Sequence, residues 1–308
     1  MKIALPDMIS NSYFPAAAAV ELGFFREEGL EMELELIFPV DKTYEALRDG
    51  KIDFVAGSAH SALAAFPQWE GVKLICAQAQ GMYWFLVMHK DLGARRGELD
   101  VVKGRRIAAA PWVEMGLRRL LIEAGYDLQR DAITIAPVPG APAGKAVNFG
   151  LAAAQALEER KVDGFWANGM GAELAVRRGV GTIVLDVRRG DGPKRCFNYT
   201  MASIATTDRL IDERPDRVAA AVRAIVKTQN TLKRNVERAT EVGRKLFPPA
   251  EAELIAELIR RDLPYYDPAI SPEFVAGMNE FARDVGILNG DVPYEKVVAT
   301  AFRELWRG

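Results

Sequence analysis

The chain has 308 residues, 49% of them hydrophobic and 27% charged, and this length can bury a large core and predicts two lobes of ordinary domain size. Its 40 Lys and Arg against 42 Asp and Glu leave a formal net charge of -2, which excludes the strongly basic surface expected for binding nucleic acid or an anionic membrane. No apolar run reaches the roughly 20 residues that a membrane-spanning helix needs.

The chain opens directly in a strand-like segment, Lys2 to Leu5, without the charged start and apolar core of a signal peptide. The sequence therefore predicts either a cytoplasmic protein or a secreted one whose leader is missing from this sequence. Two cysteines, Cys76 and Cys196, have no spacing typical of a zinc or iron–sulfur site, and we expect both to be free, buried thiols.

Strand-like and helix-like segments alternate through the first 66 residues, which is the order that builds a parallel sheet, and two further strands follow. Strands are predicted at 2–5, 32–36, 52–55, 72–77 and 83–88, and helical segments at 15–22, 24–30, 41–48 and 59–66. In the stretch from Lys51 to Ala65, a short apolar strand is followed by a turn at Gly57–Ser58 and by an Ala-rich helix. Open α/β sheets hold their ligands at such strand-to-helix junctions.

A second set of βα units follows a polar crossing segment at Lys90 to Val102. Strands are predicted at 106–110, 132–138, 162–167 and 182–187, and helices at 113–124, 149–160 and 171–178. The apolar, β-like run from Cys196 to Ile204 returns the chain to the first lobe. The remainder is predicted to be helical, with a long amphipathic helix from Pro215 through Thr240. These segments predict a first lobe of residues 1–89 and 200–308 and a second lobe of residues 90–199.

Two long segments resemble a known family. Tyr13 to Leu30 is similar to a helix followed by the family pattern GxFxxxGL, and Leu47 to Gly57 is similar to its pattern LxxGxxDxxxG. Weaker similarities lie at 103–108 and 212–218. On these residues the chain resembles the type II periplasmic binding proteins of the NMT1/THI5-like group, which serve ABC importers for nitrate, sulfonates, taurine and thiamine-pyrimidine precursors.

The resemblance implies an α/β protein with a two-lobed, periplasmic-binding-protein-like type II fold, in which each lobe is a mixed, mainly parallel sheet flanked by helices. It further implies a small-molecule ligand in the cleft between the lobes, an ABC permease in the membrane as partner, a periplasmic location and closure of the lobes. A monomer without cofactor or metal is expected.

An enzyme of the same fold is the alternative. Eukaryotic thiamine-pyrimidine synthases look similar around Ala59 to Ala65, where they carry a functional histidine, here His60. Those enzymes also have a cysteine-rich stretch at the return crossing, where this chain has only Cys196, and one cysteine does not supply an iron site. A metal-independent decarboxylase or lyase is a further enzymatic alternative. A ligand-sensing regulator is less well supported, because no helix-turn-helix precedes the first strand.

Loops at the predicted strand ends supply the candidate ligand-binding residues. They are Asn11, Ser12, Tyr13, Ser58, Ala59, His60 and Gln78 in the first lobe, Trp84, Pro111, Trp112, Val113, Trp166 and Asn168 further along, and Phe197 and Asn198 at the return crossing. The set is rich in aromatic rings and amides and contains no Arg or Lys. It predicts a small aromatic or heteroaromatic ligand, with at most one acid group held by helix starts near Ser58–Ala59 and Trp112–Val113.

Each of these residues has a structural alternative to ligand binding. Trp84 and Trp166 adjoin strands, where a large aromatic side chain is often part of the core. His60 either bonds the ligand or is satisfied by backbone groups. His89 is interpreted as structural, and Cys196 has no neighbouring base in the sequence that would activate it as a nucleophile. No catalytic residue is therefore predicted.

Overall fold

The computed structural model describes residues 1–140 and 148–307. The chain divides into two compact units: unit 1 comprises Met1–Gln80 and the segment from Thr200 onward, and unit 2 comprises Gly81–Tyr199. The strands are β1 (Lys2–Leu5), β2 (Glu33–Leu36), β3 (Phe54–Ser58), β4 (Val72–Ala79), β5 (Phe85–His89), β6 (Arg106–Ala109), β7 (Thr134–Ala136), β8 (Gly164–Ala167), β9 (Gly181–Asp186) and β10 (Ala202–Thr207).

The helices flank these strands. They are α1 (Phe14–Glu21), α2 (Phe24–Glu27), α3 (Val40–Arg48), α4 (Glu114–Glu123), α5 (Phe149–Glu158), α6 (Gly169–Arg177), α7 (Asp208–Glu213), α8 (Pro215–Arg234), α9 (Arg238–Leu246), α10 (Pro249–Asp262), α11 (Pro272–Asp284) and α12 (Tyr294–Val297). None of the helices within the described ranges has both the length and the apolar composition needed to cross a bilayer.

The sheet of unit 1 has the strand order β2-β1-β3-β10-β4. β1 pairs in parallel with β2 and β3, and β10 pairs antiparallel with both β3 and β4. All five residues of β3 are buried, which explains why this segment is apolar rather than alternating. Because only β10 runs against the other strands, the sheet is mixed and mainly parallel, as the sequence predicts.

β3 is longer than predicted, because Gly57 and Ser58 continue the strand instead of turning. Gly57 pairs with Ser203 of β10, and a Cβ atom at this position would lie only 3.0 Å from Val55 Cγ1. The predicted helix at 59–66 is instead a 3-10 helix, Ala59–Ala64. Ala59 to Leu63 are all buried, and the Ala59 N–H is bonded to Met201, so tertiary packing rather than helix propensity sets this conformation.

The C-terminal helices belong to unit 1. The predicted long helix ends at Arg234, six residues early, because Asn235 has an extended backbone (φ -148°, ψ 91°). The chain then restarts as α9, which buries Ala239 and Val242 and packs closely on α10. A Cβ atom at Gly243 of α9 would lie 2.9 Å from Ile255 of α10. The break therefore turns an apolar face toward α10 that a continuous helix would carry elsewhere.

The sheet of unit 2 has the order β7-β6-β8-β5-β9. β6 pairs in parallel with β7 and β8, whereas β5 pairs antiparallel with β8 and β9. The first division of the chain therefore lies at Gln80–Gly81 and not at the expected residue 89. An apolar run does not reveal which sheet will pair with it, and here both edges of β5 are paired within unit 2.

The return segment also differs from the prediction. The sequence predicts a β-like run from Cys196 to Ile204, but Lys194–Tyr199 forms a 3-10 helix and the strand begins only at Ala202. Burial of Cys196 and Tyr199 explains the apolar composition that suggested a strand.

Candidate functional site

Strand register brings the predicted residues of unit 1 to one edge of its sheet. Ala4 of β1 pairs with Val55 of β3, Ser58 at the end of β3 pairs with Ala202, and Ala202 pairs with Ala79 at the end of β4. The carboxyl ends of β1, β3 and β4 therefore meet the start of β10 at the same edge. The predicted residues on these segments are Asn11, Ser12, Tyr13, Ser58, Ala59, His60 and Gln78.

The loop between β1 and α1 is held from its own unit by a residue that the sequence analysis missed. Asn11 is fully buried, and its Nδ2 donates to Oδ2 of Asp262 at 2.6 Å. The Tyr266 hydroxyl donates to the backbone oxygen of Asn11 at 3.4 Å. Asn11 Oδ1 and Ser12 Oγ, both buried, have no hydrogen-bond partner among the described residues. This loop thus offers two unsatisfied polar atoms.

His60 is fully buried beside the start of β10. Its Nδ1 lies 3.0 Å from Thr200 Oγ1, and its ring meets that of Phe281 edge-on at 5.5 Å. The backbone N–H of Ala59 donates to the Met201 oxygen at 3.0 Å. That N–H is therefore engaged by the protein itself and is not available to an anion, so binding of an acid group at this helix start stays a prediction.

Gln78 has a structural role in the same unit. Its Oε1 accepts from the backbone N–H of Ala16 in α1 at 3.1 Å, and its Nε2 donates to the Ser203 oxygen at 3.2 Å. The side chain joins β4, β10 and the first turn of α1. A contact between Gln78 and a ligand stays a prediction.

The register of the second sheet likewise collects the predicted residues of unit 2. Ala109 of β6 pairs with Trp166 of β8, and Phe85 of β5 pairs with Ala167 of β8 on one side and with Asp186 of β9 on the other. The carboxyl ends of β6, β8 and β9 therefore lie at the same edge as the start of β5. The predicted residues at this edge are Trp84, Pro111, Trp112, Val113, Trp166 and Asn168.

Buried aromatic rings form a cluster at this edge. The Trp84 and Trp166 ring centroids are 6.2 Å apart, and those of Tyr83 and Trp84 are 4.7 Å apart. Trp166 Nε1 is buried without a hydrogen-bond partner in the described part of the chain. The guanidinium of Arg188, a buried residue, lies 5.5 Å from the Tyr83 centroid, in cation–π geometry. The edge thus includes a cation, although the loops selected from sequence contained none.

Arg188 was missed because the segment after β9 was not among the loops considered. The available signal was its position two residues after an apolar strand. Trp112 has a different distinguishing feature, a left-handed backbone with φ 68°. Such a conformation costs a residue other than glycine about 1–3 kcal/mol and persists only where the surrounding structure enforces it.

Two further predicted residues support the local structure of unit 2. Asn168 caps α6, with its Oδ1 accepting from the Gly171 N–H at 3.1 Å. Phe197 lies in the 3-10 helix Lys194–Tyr199, where its backbone oxygen accepts from the Met82 N–H at 3.0 Å. Asn198, its neighbour, is half-buried. Phe197 is thereby attached to the segment that leads into the aromatic cluster.

The two cysteines and His89 have unreactive surroundings. Both cysteines are free and buried, as predicted. Burial raises the pKa of Cys196 to about 11 and raises the pKa of Cys76 still further, so neither thiol forms the nucleophilic thiolate at neutral pH. Burial also lowers the pKa of His89, which accepts a hydrogen bond from the Asp91 N–H. Within the described ranges, no group of three His, Cys, Asp or Glu side chains is placed to hold a metal ion.

Comparison with known proteins gives a match to one family. The model of the family described as NMT1/THI5 like matches residues 11–239 of this chain. A search of curated proteins found no match.

Solved structures resemble the whole chain. One from Bordetella bronchiseptica RB50 is 20% identical, with a TM-score of 0.75 over 99% of this chain and 95% of that chain. The periplasmic sulfonate-binding protein SsuA of a sulfonate ABC transporter from Methylobacillus flagellatus KT is 18% identical, with a TM-score of 0.68 over 99% and 94%. A mutant of DszB in complex with biphenyl-2-sulfinic acid is 14% identical, with a TM-score of 0.66 over 98% and 97%. At these identities the likeness shows the fold.

Proposed function

Because the chain belongs to the NMT1/THI5-like family, we propose that it is the solute-binding component of an ABC importer. Its two five-stranded sheets give it the fold of the type II periplasmic binding proteins. The proposal implies a periplasmic location, a membrane permease as partner and a monomeric binding protein without a cofactor. It takes the ligand to be bound by the loops at the strand ends.

The observation that carries the proposal is the gathering of buried aromatic rings and unsatisfied polar atoms at the carboxyl edges of the sheets. In unit 2, Trp84 and Trp166 form one aromatic cluster, and Trp166 Nε1 lacks a partner among the described residues. In unit 1, Asn11 Oδ1 and Ser12 Oγ lack partners on the same terms. Buried polar atoms are rarely left unsatisfied, and a ligand that completes them is the interpretation we adopt.

A flat, aromatic or heteroaromatic ligand fits these groups best. Indole and phenol rings stack on flat ligands, and amide groups bond their edges. The strained backbone of Trp112 favours a position for its ring in the wall of the site, because such strain concentrates at ligand-binding residues. The buried guanidinium of Arg188 beside Tyr83 supports one acid group on the ligand.

An enzyme of the same fold is the second candidate. The desulfurization enzyme DszB has this fold. In this chain, the buried His60, whose Nδ1 lies beside the Thr200 hydroxyl, is the side chain most suited to transfer a proton. The raised pKa of Cys196 argues against a thiolate nucleophile there. Conversion of a bound aromatic compound that is abolished by His60→Ala would favour the enzyme.

A ligand screen tests the binding proposal. Pyrimidines, aromatic carboxylates and aromatic sulfonates are compared by thermal shift, and a true ligand is expected to add roughly 2.7 kcal/mol of stability at a hundredfold excess over its dissociation constant. Tyr13→Ala and Trp112→Ala should each weaken that ligand by about tenfold or more, since each removes a ring wall worth roughly 1.4 kcal/mol or more.

Tyr126→Ala is the matched control, because this half-buried tyrosine follows the end of α4, away from the strand-end edge. It should leave the affinity unchanged. If Tyr13→Ala and Trp112→Ala bound the ligand as tightly as Tyr126→Ala and the unaltered protein, the assignment of Tyr13 and Trp112 to the site would be contradicted.

A further inference from the structure

We infer that Asp262 is a positioning residue of the ligand site: it fixes the amide of Asn11 so that the site presents a hydrogen-bond acceptor, and the ligand accordingly carries an N–H or O–H donor at this point. The inference rests on the proposed function, since it concerns the same site. It adds a chemical requirement that the family alone does not set.

A buried hydrogen bond to Asp262 sets the orientation of the Asn11 amide. Asn11 Nδ2 lies 2.6 Å from Asp262 Oδ2, and both side chains are buried. An ionised carboxylate can only accept hydrogen bonds, so the nitrogen of the amide must face Asp262. The orientation of the amide is therefore determined chemically, and Oδ1 of Asn11 faces away from Asp262. Charge assistance makes this bond strong enough to hold the amide in one orientation.

The side-chain oxygen of Asn11 is left as a buried acceptor. Oδ1 is buried and has no hydrogen-bond partner among the described residues, and the adjacent Ser12 Oγ is in the same condition. Leaving a buried acceptor unpaired costs folding free energy, so such atoms in a native protein call for a specific partner. A donor on the bound ligand supplies that partner.

Asp262 lies at an unfavourable position in its helix for a carboxylate. It is the last residue of α10, where the helix dipole disfavours a negative charge. The carboxylate thus works against the stability of its own helix, and its bond to Asn11 gives the residue a different role. Tyr266, four residues later, donates to the backbone oxygen of Asn11. The segment at the end of α10 therefore braces the loop at both its side chain and its backbone.

The ligand class follows from the fixed acceptor. A primary aromatic amine, a ring N–H or a hydroxyl group can donate to Asn11 Oδ1. An ionised sulfonate or carboxylate group cannot, because it carries acceptors alone. The ligand therefore has a donor on its ring system in addition to any acid group that it carries.

Matched pairs of probes test this requirement. They are 4-aminobenzoate against 4-methylbenzoate and 4-aminobenzenesulfonate against 4-methylbenzenesulfonate, in which amino and methyl groups are of similar size. Dissociation constants are measured by calorimetry on the full chain. The amino member of each pair should bind the unaltered protein about 10- to 100-fold more tightly, as expected when a buried acceptor is otherwise left unpaired.

Two variants of the hydrogen-bonded pair Asn11 and Asp262 distinguish a positioning role of Asp262 from a merely structural one. In Asp262→Asn, the new amide can donate as well as accept, so the Asn11 amide can turn over and the amino preference should fall to about threefold or less. The double variant Asn11→Asp with Asp262→Asn exchanges the two groups. It keeps a hydrogen bond between them and leaves an acceptor oxygen at position 11, so the preference should return.

Asp53→Asn is the matched control. Asp53 is a carboxylate of the same unit that accepts from the backbone N–H of Lys2 at 2.7 Å, and its replacement should leave the preference unchanged. The preference is a ratio within each variant, so a general loss of stability affects both members of a pair.

The possible results distinguish a failure of this inference from a failure of the proposed binding function. Equal binding of amino and methyl probes by the unaltered protein would overturn the donor requirement but leave the binding function standing. A preference unchanged in Asp262→Asn, or not restored in the double variant, would overturn the role of Asp262. Failure of every aromatic compound in the wider screen to bind would overturn the proposed function and this inference with it.

Discussion

Gly81 occupies a position that only glycine fits, for two independent reasons. Its φ is 72°, in the left-handed region, and a Cβ atom would lie 2.4 Å from Cε2 of Phe197. Gly81→Ala should therefore lower the free energy of unfolding by about 2–4 kcal/mol, of which about 1–2 kcal/mol comes from the backbone and the rest from overpacking. Urea denaturation followed by tryptophan fluorescence measures the change.

Gly93→Ala is the control for the backbone contribution. Gly93 has φ 70° in the same unit, and nothing lies within 4 Å of where its Cβ would be. This variant should lose only about 1–2 kcal/mol. Equal losses at the two positions would show that the ring of Phe197 yields without cost.

Residues that combine across long sequence distances escaped the sequence analysis. Asn11 was selected because it follows a strand, but its partner Asp262 is 251 residues away. No local pattern joins the two. Arg188 was missed for a related reason, since its contact with Tyr83 depends on β5 and β9 being neighbours in the sheet. Which residues follow the strand ends could be predicted from local sequence, whereas their hydrogen bonds and the guanidinium beside Tyr83 could not.

At the scale of elements, α6 links a stability role to a proposed binding role through Asn168. Its Oδ1 caps the helix by accepting from the Gly171 N–H. Asn168→Ala should cost about 1 kcal/mol of stability and also weaken the ligand. Asn168→Asp keeps a capping oxygen but removes the amide donor, so stability should be largely retained while affinity falls. Thermal unfolding and calorimetry give the two quantities.

Thr207 provides the matched cap. Its hydroxyl accepts from the Leu210 N–H at the start of α7 in unit 1. Thr207→Ala should cause a similar loss of stability without a change in affinity. If Asn168→Asp bound the ligand as tightly as the unaltered protein, Asn168 would be a cap alone.

Element types were predicted more reliably from sequence than element ends. Most of the strands and helices predicted in the first 200 residues are present in the structure, because apolar periodicity records which faces are buried. The exceptions are short segments between elements, such as Ala59–Ala64 and Lys194–Tyr199. There, tertiary packing rather than local propensity chose a 3-10 conformation.

For the whole molecule, unit 2 is expected to fold by itself. It is one continuous segment, Gly81–Tyr199, and its five strands pair only with one another within the described residues. Its length of about 120 residues is typical of an independent domain. The excised segment should therefore unfold cooperatively in urea, as monitored by circular dichroism and by the fluorescence of its three tryptophans, Trp84, Trp112 and Trp166.

A shorter segment beginning at Lys90 is the control, since this is where the sequence alone placed the boundary. It lacks β5, which lies between β8 and β9 in the sheet. Without β5, β9 loses its pairing with the rest of the sheet, and the shorter segment should not unfold cooperatively. A native-like transition in both segments would contradict the central role of β5.

The sequence by itself determined the fold class, the approximate elements and the family. Each depends on local patterns: the period of apolar residues, the glycines and prolines at element ends, and two motifs near the start of the chain. Tertiary structure alone decided which sheet receives β5, which loops share an edge and which distant side chains satisfy one another. These outcomes depend on strand pairing and on contacts between residues far apart in the chain, and no local pattern encodes them.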